Sequence, residues 1–170
     1  MSNVAVYGDL TALYAMRSRQ RRGINYKELD TALKTHLEVT EFEDNKWFSI
    51  YADNNEKQVS FIKGLRDLGW NVETASTRDI RRVRDSKEYR FDARIAVELG
   101  LAAEQFDSVA VVSDSYELYA PLKRLHDEDP AVQIYLVCFA DGLDPRWVKH
   151  FHSQDPSWVS LIDLDIEEKI

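Results

Sequence analysis

A single cysteine in 170 residues excludes a disulfide framework and any zinc site built on paired thiolates. Cys138 lies inside the apolar run Ile134–Phe139, where a buried core thiol is expected rather than a nucleophile. No apolar run approaches the roughly 18–20 residues that a membrane helix needs, so no membrane partner is expected. The opening MSNVAVYGD has no basic segment leading into an apolar stretch, so no secretory signal is expected, and a reducing cytoplasm suits the cysteine usage. Positive charge is also scarce: 22 Lys and Arg against 30 Asp and Glu leave a net charge of −8. Such a chain repels nucleic acid as a whole, so that partner has to be met by a local basic patch. Familiar phosphate loops are missing, since neither G-x-G-x-x-G nor G-x-x-x-x-G-K-[ST] occurs. There is no G-x-S-x-G elbow, and Tyr7-Gly8-Asp9-Leu10-Thr11 lacks the D-x-D of an aspartyl-phosphate phosphatase. The four histidines, His36, His126, His150 and His152, have no metal-ligand spacing with acids.

What remains is a globular composition, 44% hydrophobic with four Trp, and a length that suits one domain with a substantial core. The most informative stretch is FDSVAVVSDSYELYAPLKRL, residues 106–125. Val109–Val112 is too short for a helix and rich in β-branched side chains, so it reads as a strand buried on both faces. Val4–Tyr7 repeats the pattern, and each run ends in an aspartate, Asp114 and Asp9. Carboxyl ends of core strands are where open α/β sheets bind ligands.

Along the chain, Leu10–Met16 reads as a short helix running into a basic loop, Arg17–Gly23. Asn25 caps the next helix with Glu28 three residues on, and Leu29, Leu33 and Leu37 form its apolar stripe. Lys46–Tyr51 is the second strand, and Asn54 or Asn55 caps a helix over Glu56–Leu68 that Gly69 ends. Asn71–Thr74 is a short strand suited to a sheet edge, and Ala75–Glu88 reads as a long loop. A helix starts near Asp92 and ends by Gln105. After Val109–Val112 come a helix over Glu117–His126, a strand over Val132–Phe139, a short helix at Pro145–Phe151 and a last strand at Trp158–Ile162. Strands alternating with helices predict one α/β domain over 1–170, a three-layer sandwich on a mainly parallel sheet of five to six strands, PIN-like or Rossmann-like.

Asp9 and Asp114 close two core strands, Asp92 opens the helix before the second of them, and Glu117 follows it. If those strands are neighbours, the acids share one concave edge, and clustered carboxylates raise one another's pKa unless a cation neutralises them. An all-oxygen site suits Mg²⁺ or Mn²⁺, which polarises a phosphoryl oxygen and activates water. Each acid also has a plainer reading: Asp92 as a helix N-cap, Glu117 as a partner of its helix dipole, and Glu98, six residues past Asp92, as a solvated residue. Two arginine clusters, Arg17, Arg19, Arg21 and Arg22, and Arg78, Arg81, Arg82 and Arg84, are either solvated faces or a grip on a phosphate backbone.

These pieces, in order, resemble the NYN domain family, a LabA-like branch of the PIN-like nucleases, over nearly the whole chain from Val4 to Asp165. VAVYGDLTALY is similar to the family's opening strand, aspartate and helix, and YRFDARIAVELGLAAEQFDSVAVVSD to its K-G-V-D helix and the strand ending in S-G-D. IYLVCFADGLDPRWVKHFHSQDPSWVSLIDLD is similar to its closing strand, helix and I-D-L-D ending. The resemblance implies a metal-dependent ribonuclease acting on RNA, with Asp9, Asp92 and Asp114 as Mg²⁺ or Mn²⁺ ligands. The chain departs from the pattern at Leu10 and Ala12, where the family has glycine and asparagine, at Tyr89 and Arg90, near its lysine, and at Tyr116, where it has a further acid. Glu117 is the candidate substitute for that acid. The alternative is a catalytically weakened module that binds RNA or a protein; a homodimer is left open.

Overall fold

The computed structural model describes residues 2–20, 22–51, 55–77, 89–153, 157–166 and 170. β1 (Val4–Asp9) and β4 (Ser108–Val112) are buried along their whole length, as continuous apolar strands are when a sheet is covered on both faces. They are parallel neighbours, from Val4 opposite Ser108 to Gly8 opposite Val112. β2 (Asp44–Tyr51) and β3 (Val72–Ser76) extend the sheet past β1, while β5 (Gln133–Cys138) and β6 (Val159–Asp163) extend it past β4. The order is β3-β2-β1-β4-β5-β6 with every pair parallel. The expected α/β sandwich is therefore present, with six strands and the half-polar β3 at an edge. The strand order reverses direction between β1 and β4, the switch point beside which such sheets open a crevice.

Among the described residues six α-helices flank the sheet: α1 (Leu10–Arg19), α2 (Tyr26–His36), α3 (Glu56–Asp67), α4 (Asp92–Ala102), α5 (Tyr119–Glu128) and α6 (Pro145–Phe151). Their starts follow local chemistry. The Glu28 amide donates to the Asn25 side chain, the Lys57 and Gln58 amides to Asn55, and the Arg146 amide to Asp144, with Pro145 in the first turn. Asn55 is thus the residue that caps α3. Gly69, at φ +87°, takes the left-handed conformation that ends α3. None of the described helices is long and apolar enough to cross a membrane.

Besides small shifts at strand ends, with β3 running on to Ser76 into the expected 75–88 loop, three helix boundaries differ from the sequence pattern. α1 runs on through Arg19, so the first three residues of the expected basic loop are helical. Its continuation follows from Arg17, which is buried rather than solvated. Its guanidinium donates to the Gly23 and Ile170 carbonyls at 3.3 and 3.0 Å and to Gln20 Oε1 at 2.8 Å, and lies over the Phe139 ring, 4.4 Å from its centroid. α5 starts only at Tyr119, because Tyr116–Leu118 forms a 3₁₀ turn with the Ser115 hydroxyl accepting from the Glu117 amide. Phe91 rather than Asp92 occupies the N-cap position of α4 and offers it no side-chain acceptor. Arg21, Asp53, Asn54 and the loop arginines Arg78, Arg81, Arg82 and Arg84 lie outside the described residues.

The core beneath the switch point is aromatic. Trp47 of β2 stands opposite Gly8 and stacks on Trp70, centroids 3.8 Å apart and planes within 7°.

Candidate functional site

Asp9 is the last residue of β1 and fully buried, and its carboxylate is spent on the backbone. Oδ1 accepts from the Ala12 amide at 2.9 Å, which caps α1, and Oδ2 accepts from the Phe91 amide at 2.8 Å, which supplies the acceptor that α4 lacks at its own start. One side chain therefore joins the end of β1 to the beginnings of two helices. Burial pushes its carboxyl up to about 7, against the opposing pull of those two amides and of the Arg90 charge.

Asp92, in the first turn of α4, accepts from the Ser115 hydroxyl at 2.8 Å through Oδ2, while Oδ1 is buried without a hydrogen-bond partner among the described residues. Burial raises its carboxyl too, and the charges of Asp114 and Glu117 add to that. Asp114 lies just past β4 and is nearly buried. Its Oδ1 accepts from Arg90 Nε at 3.2 Å, and Arg19 approaches Oδ2 at 3.6 Å. The Arg90 guanidinium also donates to the Tyr89 carbonyl at 3.1 Å, which fixes it over the crevice.

The structure thus brings Asp9, Asp92 and Asp114 to one edge, as expected, but gives them partners other than a shared ion. Among the described residues no group of three or more His, Cys, Asp or Glu side chains is arranged to hold a metal ion. Glu117 does not join them: it is exposed, 3.8 Å from Arg146, in a pair that solvent screens. Glu98 belongs elsewhere, its two carboxylate oxygens both 2.8 Å from Lys46 of β2. Tyr116 stacks on Tyr119 at 5.1 Å and carries the Arg146 guanidinium 4.6 Å from its ring centroid, so an aromatic cluster fills the place where the family pattern has an acid.

The arginines divide as well. Arg17 is built into the fold, which corrects its expected role as a phosphate contact, whereas Arg19 and Arg22 are exposed. Arg90 and Ser115 were not among the expected site residues. Arg90 had one signal, its place two residues before Asp92 in the motif, whereas the Ser115–Asp92 bond depends on how a 3₁₀ turn meets α4 and leaves no trace in spacing. A cavity of about 470 Å³ opens over this ground, lined by Arg19, Arg90, Asp114, Ser115 and the 141–145 segment.

The raised Asp9 carboxyl has a measurable consequence. Its folded value of about 7 exceeds the ordinary 3.8, so the unfolded chain releases this proton first as pH rises. Its contribution to stability is complete below about pH 4 and is lost progressively up to about pH 7. Urea titrations from pH 4 to 8 are expected to show wild-type stability falling across that window and a flatter profile for Asp9→Asn; parallel profiles would contradict the assignment.

The chain matches no protein-family model and no curated protein. It is similar in structure to a protein of unknown function from Vibrio parahaemolyticus, with a TM-score of 0.72 over 96% of this chain and 94% of that one, at 19% sequence identity. A likeness at that identity speaks for the fold; the activity has to be argued from the site.

Proposed function

We propose that the chain is an RNA-binding module of PIN-like shape in which arginine stands where a nuclease of this fold would gather metal ligands, and that it binds RNA without cleaving it. The observation that carries this is Asp114 with Arg90 Nε at 3.2 Å and Arg19 at 3.6 Å, beside an Asp9 whose two oxygens already accept from backbone amides. A guanidinium neutralises the crevice permanently and, unlike a divalent ion, activates no water. The motif resemblance to the NYN family supports RNA as the ligand, and the exposed Arg19 that lines the crevice supplies part of the local positive charge that a chain of net charge −8 needs.

A second reading, a Mg²⁺- or Mn²⁺-dependent ribonuclease, draws on one specific feature: the buried Asp92 Oδ1 has no donor, which is the state of a carboxylate oxygen that awaits a cation. As they stand, the three aspartates do not fit a shared ion, since such an ion would have to displace Arg90 from Asp114. Labelled single-stranded RNA incubated with wild type and with Asp114→Asn, each with Mn²⁺, separates the two. Binding without cleavage by either protein is expected, with Arg19→Ala lowering the slope of log affinity against log salt by about one. Mn²⁺-dependent cleavage that Asp114→Asn abolishes would overturn the proposal in favour of the nuclease; absence of RNA binding would overturn both.

A further inference from the structure

A second cavity, also about 470 Å³, opens on the other side of α1 from the arginine-lined one. It lies between α1, the segment leading into α2, the carboxyl end of β2 and the first two turns of α3, and its volume is that of a small-ligand site. α1 contributes to both cavities: Leu10, Thr11, Tyr14 and the buried Arg17 to this one, Arg19 to the other. Leu10 and Thr11 directly follow Asp9, so the two cavities flank the switch point.

The walls are mostly apolar and include three aromatic rings. Tyr26 meets Phe61 edge-to-face with centroids 5.0 Å apart and is backed by Trp70 at 6.0 Å, which makes a stiff wall. Tyr14 is 55% exposed, so its ring is accessible to whatever enters the cavity. Burial raises the Tyr26 phenol above its ordinary value, and Tyr14 adds to that to a lesser degree. Two exposed cations, Arg22 and Lys57, line the mouth. A mostly apolar cavity that combines three aromatic rings with two exposed cations matches one chemical object closely. That object is a nucleotide, with its π-faced, polar-edged base and its anionic phosphate.

We infer that this cavity takes the base of one nucleotide of a single-stranded RNA, with Tyr14 and the Tyr26–Phe61 wall against the base and Arg22 and Lys57 against its phosphates. The inference rests on the RNA-binding reading for the strand, but the nucleotide chemistry stands on the cavity itself. The charge at its mouth favours this occupant over an apolar peptide side chain, which would have no use for two cations.

Two ligands test it: a labelled ten-nucleotide single-stranded RNA, and uridine and adenosine monophosphates followed by tyrosine fluorescence. Tyr14→Ala removes an exposed ring and Lys57→Ala an exposed cation, and melting curves check that both variants fold. The expected result is RNA binding by wild type weakened about tenfold in Tyr14→Ala and several-fold in Lys57→Ala, with an abasic strand bound equally by wild type and Tyr14→Ala. RNA binding that neither substitution changes would overturn the pocket and leave the RNA-binding reading intact. Monophosphate binding lost in Tyr14→Ala, without any RNA binding, would keep the pocket and overturn that reading. Binding of neither ligand would overturn both.

Discussion

Replacing Asp9 with alanine is expected to destabilise the folded chain by about 3 kcal/mol at pH 5, as the sum of a lost helix cap and a second buried amide left without an acceptor. Both donors are backbone groups that water does not reach easily, the Ala12 amide in the first turn of α1 and the Phe91 amide at the start of α4. Asp9→Asn recovers only part of the loss, because its amide nitrogen presents a donor to one of the two N–H groups. The cost of Asp9→Ala shrinks toward pH 8, where wild type itself bears the penalty of ionising a buried carboxyl whose value sits near 7. Chemical denaturation at the two pH values is the measurement. A residue that served only as a metal ligand gives the opposite result without metal, little change or a gain in stability on removal of its charge. An Asp9→Ala variant as stable as wild type would therefore refute the structural role assigned here.

Gly8→Ala is the other substitution with a large expected effect, again about 3 kcal/mol, from overpacking. Glycine is required at this position for close approach rather than for backbone freedom. A methyl group there runs into the six-membered ring of Trp47 well inside van der Waals contact, and Trp70, stacked 3.8 Å away, blocks its retreat. In a chain of this length the loss corresponds to a fall in melting temperature of about 10 °C. Gly100→Ala, on α4 with nothing within 4 Å of the added carbon, is the control and is expected to leave the melting temperature unchanged or slightly higher. Equal melting of Gly8→Ala and wild type would show that the Trp47–Trp70 stack can slide.

The sheet was legible because its two central strands are uninterrupted apolar runs, a pattern that water-facing strands do not show. Asn25, Pro145 and Gly69 make three helix boundaries legible for equally local reasons. The α1 boundary was misread because Arg17 looks like a solvated charge in a row of arginines. Its burial depends on Gly23, Phe139 and Ile170, which are brought to it only by the fold. The site was half legible for the same reason. That three aspartates end or begin elements at one edge follows from the chain's periodicity, and the adjacency of β1 and β4 brings them together. What each carboxylate binds does not follow. Asp9 serves an amide 82 positions later in the chain, and Asp114 is met by Arg90 from the start of α4 and Arg19 from the end of α1. Those pairings are tertiary, and spacing does not encode them.

The position of β1 at the centre of the strand order also sets a timetable for assembly. β1, made before the other strands of its sheet, pairs with β2 on one side, but its other edge stays open until β4, around residue 112, has been made. Until then a largely apolar strand presents unpaired amides and carbonyls, the kind of edge that recruits other chains. The α4 amide that Asp9 binds arrives within the same interval. Folding is thus committed late and by contacts of long sequence separation, which makes slow, concentration-sensitive refolding the natural kinetic signature of this topology.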